Sequence, residues 1–281
     1  MSTRNWKIGK VALKVQDLTE MSEFYQEIMG MAVLTKTDSS VTLGVKDSKE
    51  ELIELIQITP AADKKMTVGL YHHALLLPTR SDLGEFLYHL LVKKYPLGGA
   101  SDHGYSEAIY FNDPEGNGIE VYADKPKSEW DVREDGRVEG VTIQMDAEGV
   151  LASVKKAFTG LPVGTIMGHV HLTVNNLEDA GVFYTEIIGL GLKSDYFGQA
   201  KFFAFGDYHH QVGTNTWAGK SLPALEEDQL GIAYYEWVLP SEEELSSFRA
   251  KLDKNQIAYQ EDDGVLKMKD SSGIKLHLIS E

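Results

Sequence analysis

The chain has 281 residues, 42% hydrophobic and 25% charged, an ordinary globular mix and enough length for two modest cores. Its net charge of -16 repels phosphate backbones and anionic lipid, which sets nucleic acid and membrane surfaces aside as partners. With no cysteine, disulfides, thiolate metal sites and cysteine nucleophiles are excluded together, so any metal must rest on His, carboxylate, Tyr or backbone oxygen.

Met1–Lys7 carries no apolar run behind its charges, and no window approaches the roughly 20 apolar residues that span a bilayer, so the chain reads as cytoplasmic. A first unit, residues 7–60, opens with the alternation of Lys10-Val-Ala-Leu-Lys-Val15, continues through a helix ending at Gly30, and closes with three short strands. A second, 69–125, repeats that order from Leu70–Leu77 and Ser81–Lys94 to a strand, a tight Asp113-Pro-Glu-Gly-Asn-Gly118 turn and a last strand through Glu120. Residues 126–165 read as a linker, with a short helix expected over Leu151–Phe158.

The third unit, 166–217, is the most regular. Val170, Leu172 and Val174 alternate with His169, His171 and Thr173, a half-buried strand with two histidines on one face. Asn175 or Asn176 can cap the helix that starts at Leu177, and Gly189 ends it. Its last strand is expected over Tyr208–Asn215, and a fourth unit, 229–281, ends on Gly273–Ile279.

These units are related. A shift of 159 places Leu18 on Leu177, Phe24-Tyr25 on Phe183-Tyr184 and Gly30 on Gly189. Gly69–Pro78 returns 162 residues later as Gly231–Pro240. The period implies two halves of two βαβββ units each, an α+β fold divided as 7–125 and 166–281.

Four such units, with Asp-Leu-x5-Phe-Tyr-x4-Gly after the first strand and Asp-Pro-x-Gly-Asn-x-Ile-Glu before a last one, resemble the vicinal oxygen chelate (glyoxalase and type I extradiol dioxygenase) superfamily. Ala100–Tyr110 and Tyr208–Trp217 narrow the likeness to bacterial catechol 2,3-dioxygenase-like proteins. The resemblance implies paired units curling mixed sheets into two cup-shaped domains, with a divalent metal held inside on first and last strands. Fe(II) is the foremost expectation, and Zn(II), Ni(II) or Mn(II) are also compatible.

Carried onto this chain, the family's first-strand ligand in unit three falls on His169, whose imidazole the periodicity turns into the cup. In unit four the equivalent positions hold Tyr234 and His277 in place of a histidine and a carboxylate. A C-terminal metal site is therefore expected on His169, His210 and His277, with Glu236 and His171 also due on that face. His210 would be the third ligand or the acid–base group, and Tyr234 would hydrogen-bond the substrate or serve as a rare ligand.

In the N-terminal half Glu54, His72 and Glu120 fall on ligand positions and form a second candidate set, with Lys10 in the fourth. An ammonium there either repels a dication or neutralises the carboxylates as a buried ion-pair network. Asp102 and His103 border a Gly-rich turn and could line a pocket, while Tyr71, Trp217 and Trp237 read as core aromatics.

Two functions follow. One is a metal-dependent enzyme acting on a small molecule, foremost an extradiol dioxygenase cleaving a catecholic ring, with a glyoxalase-like isomerase or lyase as the variant. The other is a degenerate member that binds a small aromatic ligand without chemistry. The edge strands of open cups leave a homodimer as an option that no stretch specifies.

Overall fold

A computed structural model describes residues 5–48, 50–59 and 65–281; Met1–Arg4, part of the N-terminal stretch discussed above, lie outside them. The first unit runs β1 (Lys7–Val15), α1 (Leu18–Glu27), β2 (Ala32–Lys36), β3 (Ser40–Gly44) and β4 (Glu51–Gln57). The second runs β5 (Gly69–Leu76), α2 (Arg80–Lys93), β6 (Gly99–Asp102), β7 (Ser106–Asn112) and β8 (Gly118–Asp124). The linker forms β9 (Asp131–Val132), β10 (Val138–Glu139), β11 (Ile143–Gln144) and α3 (Ala147–Ala152), so its helix lies earlier than expected. Asp146 supplies the reason, capping that helix by accepting the amide of Gly149 at 2.9 Å.

The third unit contains β12 (Ile166–Thr173), α4 (Leu177–Val182), β13 (Gly191–Tyr196), β14 (Ala200–Ala204) and β15 (Val212–Asn215). Asn176 caps α4, and the helix continues as a π-turn to Gly189, whose φ of 98° closes it. The fourth unit holds β16 (Gly231–Leu239), α5 (Glu242–Lys254), β17 (Gln260–Asp262), β18 (Val265–Lys269) and β19 (Lys275–Ser280). No described helix is long and apolar enough to cross a membrane.

The pairing of units differs from the expected division at the linker. One sheet has the order β17-β18-β19-β16-β1-β4-β3-β2, joining the first unit to the fourth. The other has the order β11-β6-β7-β8-β5-β12-β15-β14-β13, joining the second to the third. The seams are antiparallel, β1 against β16 and β5 against β12. The linker stays with the inner sheet: β11 adds to β6, and Arg80 of α2 donates to the Gly149 carbonyl of α3 at 3.0 Å.

Consecutive units are tied by side chains instead. Tyr25 of α1 donates to Asp113 in the second unit's turn at 3.2 Å, and Tyr184 donates to Asp270 in the fourth unit's turn at 3.0 Å. Each aspartate also accepts turn amides, Asn117 on Asp113 and Ser272 and Ile274 on Asp270. Trp6, Phe205, Trp237 and Phe248 pack together in the apolar core, Trp6 meeting Phe248 edge to face at 5.1 Å and lying tilted against Phe205 at 5.2 Å.

Both seams carry bulges at matching positions. On the inner seam Met167 pairs with Leu75 but His169 with Ala74, which leaves Gly168 without an opposite residue. The extra residue re-aims the side chains after it, His169 first.

Candidate functional site

The inner sheet brings together donors from three strands. His72 comes from β5, Glu120 from the parallel neighbour β8, and His169 from the antiparallel neighbour β12. One carboxylate oxygen of Glu120 lies 3.0 Å from His72 Nε2 and 3.2 Å from His169 Nε2, and the two ring nitrogens are 3.4 Å apart. Among the described residues this is the only His/Asp/Glu trio close enough to share an ion, and all three members are buried.

The spacing fits a metal. Atoms about 2.1 Å from a common ion, at mutual angles of about 90–110°, stand roughly 3.0–3.4 Å apart, which is the observed range. Two imidazoles and one carboxylate on one face form the set that suits non-haem Fe(II) and leaves further coordination positions open. Burial opposes ionisation of Glu120, yet His169 and His72 outweigh it and hold the carboxyl well below its usual range. Burial pushes His169 down to about 4, so the ring is neutral and its lone pair free near pH 7.

The candidate residues are grouped differently from the expectation. His169 keeps its place but is joined by His72 and Glu120 of the other half, because β5 and not β16 lies beside β12. His277 and Tyr234 are in the outer sheet, stacked on each other at 3.7 Å, and Tyr234 donates to Glu54. Neither lines the cavity described below. Lys10 sits 2.7 Å from Glu51 and 3.8 Å from Glu54, so the ammonium compensates the carboxylates of the outer cup. His73, next to His72, faces the core with both nitrogens unpartnered, and burial lowers it to about 3.

A cavity of about 590 Å³ opens beside the trio, lined by His72 and Glu120 and by Tyr71, His103, Tyr110, His171, Phe202, His210 and Trp217 among others. His210 enters it from a bend before β15, not from within the strand expected over Tyr208–Asn215. In a strand, adjacent side chains point to opposite faces. The bend instead lets His209 and His210 both reach inward, their Nδ1 atoms 2.8 Å apart and the His210 ring 4.1 Å from that of His169.

His209 Nε2 donates to Asp124 at 3.0 Å, and the ring stacks on Tyr105 at 4.2 Å. With its Nε2 hydrogen given to Asp124, His209 offers its Nδ1 lone pair to the Nδ1 hydrogen of His210, which leaves His210 Nε2 as a lone pair for the cavity. Burial holds His210 and His171 well below the ordinary imidazole range.

His103, expected as a pocket residue, gives its Nδ1 hydrogen to the Val141 carbonyl at 2.8 Å and accepts Tyr110 Oη at 2.6 Å. Asp102 beside it serves the turn, accepting the Gly104 amide and Lys125. Burial, with Glu120 nearby, keeps the Tyr110 phenol protonated. The sequence reading passed over Tyr110, although a turn centred on Glu115 pairs it with Glu120. Tyr71 and Trp217, expected in the core, are 47% and 46% exposed at the cavity's edge; Trp237 is a core residue.

The chain is 37% identical over 268 residues to the catechol-2,3-dioxygenase of Bacillus subtilis (strain 168), covering 94% of this chain and 93% of that protein. It belongs to the glyoxalase/bleomycin resistance protein/dioxygenase superfamily. Residues 7–121 match that superfamily's model directly. Two solved structures share the fold of this superfamily member. A candidate dioxygenase from Bacillus subtilis superposes with a TM-score of 0.66 at 12% identity, covering 98% of this chain and 84% of its own. Glyoxalase I from Zea mays gives 0.60 at 15%, with 98% and 92% covered. Together the relatives make the protein an enzyme of the vicinal oxygen chelate type.

Proposed function

We propose that the protein is an extradiol ring-cleaving dioxygenase of a catecholic substrate, with Fe(II) held by His72, Glu120 and His169. The observation that carries this reading is the trio itself, two imidazoles and one carboxylate within 3.4 Å of one another beside a cavity. The relative's activity as a catechol-2,3-dioxygenase supports it. Bound there, the ion would supply Lewis acidity toward two adjacent oxygens and one-electron chemistry toward dioxygen.

The chain's own residues supply the rest. His210 takes the proton of a substrate hydroxyl at Nε2, because Asp124 and His209 hold the hydrogen on its Nδ1. Its neutral form is secured by burial, so it is a base without prior deprotonation. Tyr110, fixed by His103, presents a phenol oxygen next to the carboxylate and orients the substrate's second oxygen.

The test is to purify the protein anaerobically, measure bound metal, then add catechol in air. Iron near one per chain with a yellow ring-cleavage product is the expected result. Zinc or nickel without product would replace this reading by a glyoxalase-like isomerase or lyase, and absence of metal after reconstitution would leave a binding protein.

A further inference from the structure

We propose that Tyr122 and Tyr208 form an outward path for oxidising equivalents, sparing the metal ligands when hydrogen peroxide meets the ferrous site. This rests on the Fe(II) reading of His72, Glu120 and His169, and it gives a role to two phenols that the ring-cleavage scheme leaves unused.

The first observation is placement. The wholly buried Tyr122 ring lies 5.0 Å from the ring of His169, and its hydroxyl is 2.8 Å from that of Tyr208. Neither ring lines the cavity, so a bound substrate does not compete for them. Tyr208 is half-buried. One step therefore leads from the neighbour of a ligand to a ring that solvent reaches.

The second is the order of the hydrogens. Tyr122 donates to Tyr208, and Tyr208 donates to Asp124. A phenol that loses an electron must also lose its proton, so it is readily oxidised only where an acceptor is already in place. Asp124, its side chain 22% exposed, is that acceptor at the outer end.

The third is what closes the alternatives. Trp130 stands 5.9 Å beyond Tyr208, but its N–H is given to the Lys125 carbonyl at 2.9 Å, which takes no proton, and the Lys127 ammonium lies 5.7 Å from its ring, where it opposes a positive charge. The path ends on Tyr208. Tyr110, the other phenol beside the site, bonds to His103 in the cavity wall, and both nitrogens of that imidazole are committed. Oxidation of Tyr110 would stay inside the cavity.

Hydrogen peroxide reduced to two waters breaks its O–O bond and takes two electrons and two protons. One electron comes from the ferrous ion, which becomes ferric, the other from Tyr122, and both protons from solvent. As Tyr122 is oxidised, its phenol proton passes to Tyr208 and that of Tyr208 to Asp124. A hydrogen atom then returns from Tyr208 to Tyr122, leaving a neutral radical on Tyr208, and a thiol in solution quenches it by giving a hydrogen atom. Without the path, the second electron is taken from the ligand imidazoles.

The experiment uses the full chain loaded with Fe(II), its metal content measured first, and no catechol. Stoichiometric hydrogen peroxide is added anaerobically with a nitroso spin trap, and trap adducts and added oxygen are located by peptide mass spectrometry. We expect the adduct on Tyr208 with His72 and His169 intact, and loss of the adduct when excess glutathione is present or zinc replaces iron. Tyr122→Phe and Tyr208→Phe should each keep the iron, lose the adduct and gain oxygen on His72 or His169. An adduct on Trp130, Tyr110 or Trp217 in place of Tyr208, or equal histidine oxidation in wild type and both variants, would overturn the proposal while the iron site stands. A chain that binds no iron would overturn the Fe(II) reading and this path with it.

Discussion

Replacing Gly168 by alanine would push a methyl group into Tyr122. A Cβ there would stand 2.0 Å from the tyrosine's Oη and 2.7 Å from its Cζ, with Leu76 Cβ at 3.0 Å. The ring has nowhere to go, being wholly buried and hydrogen-bonded to Tyr208 at 2.8 Å. The backbone of Gly168 does not itself need glycine, since its φ is outside the left-handed region, so overpacking is the whole cost. Overpacking of this kind costs about 1–3 kcal/mol, and at about 2–4 °C per kcal/mol for a chain of this size the melting temperature should fall by several degrees.

The strand yields more readily than the ring, and the next residue along it is His169. A shift of half an ångström there separates three donors now within 3.4 Å. Gly168→Ala should therefore lower iron stoichiometry as well as stability. Tyr122→Phe, which removes the atom nearest the methyl, should restore part of both in the double variant. Calorimetry and metal analysis on the four proteins of this cycle read the coupling. A Gly168→Ala protein with unchanged melting and full iron would refute the claim that this bulge positions the ligand.

Other outcomes follow from the site. His72→Ala, Glu120→Ala and His169→Ala should each abolish stoichiometric metal, whereas His277→Ala should retain it, as elemental analysis would show. Asp124→Asn should keep the metal but lower kcat by about 10²-fold or more, the range of acid–base contributions, by freeing His209 to turn its hydrogens. His73→Leu isolates one buried titration. Its folded pKa of about 3 lies below the usual 6.5, so the unfolded chain takes up the proton first and the wild type loses stability as pH falls from 6.5 towards 3. The variant's advantage in urea unfolding should grow by about 2 kcal/mol between pH 7.5 and pH 5; a constant gap would contradict it.

The elements themselves were legible because each unit carries its own period and turns: Asn176, one of the two expected caps, starts its helix, and Gly30 and Gly189 end theirs at positive φ. What the periodicity does not encode is the partner across a seam. β12 buries the same residues beside β5 as it would beside β16, so alternation put His169 in a cup without saying that His72 and Glu120 shared it. His209 needed a departure from strand geometry that no pattern signalled. Lys10 was readable as the odd member of its cup, and its ion pairs with Glu51 and Glu54 follow from charge alone.

The two seams nest like brackets, one opening and closing inside the other, and this orders the birth of the protein. β5 and β12 lie about as far apart in the chain as any ordinary domain requires, and the sheet they share can close while the C-terminal unit is still being made. β1 must wait for Gly231–Leu239. Until that strand emerges from the ribosome, an edge rich in Ile8, Val11, Leu13 and Val15 has its amides and carbonyls exposed for whatever passes. The cup that carries no proposed chemistry is thus the one whose completion is slowest, and the step most in need of a chaperone.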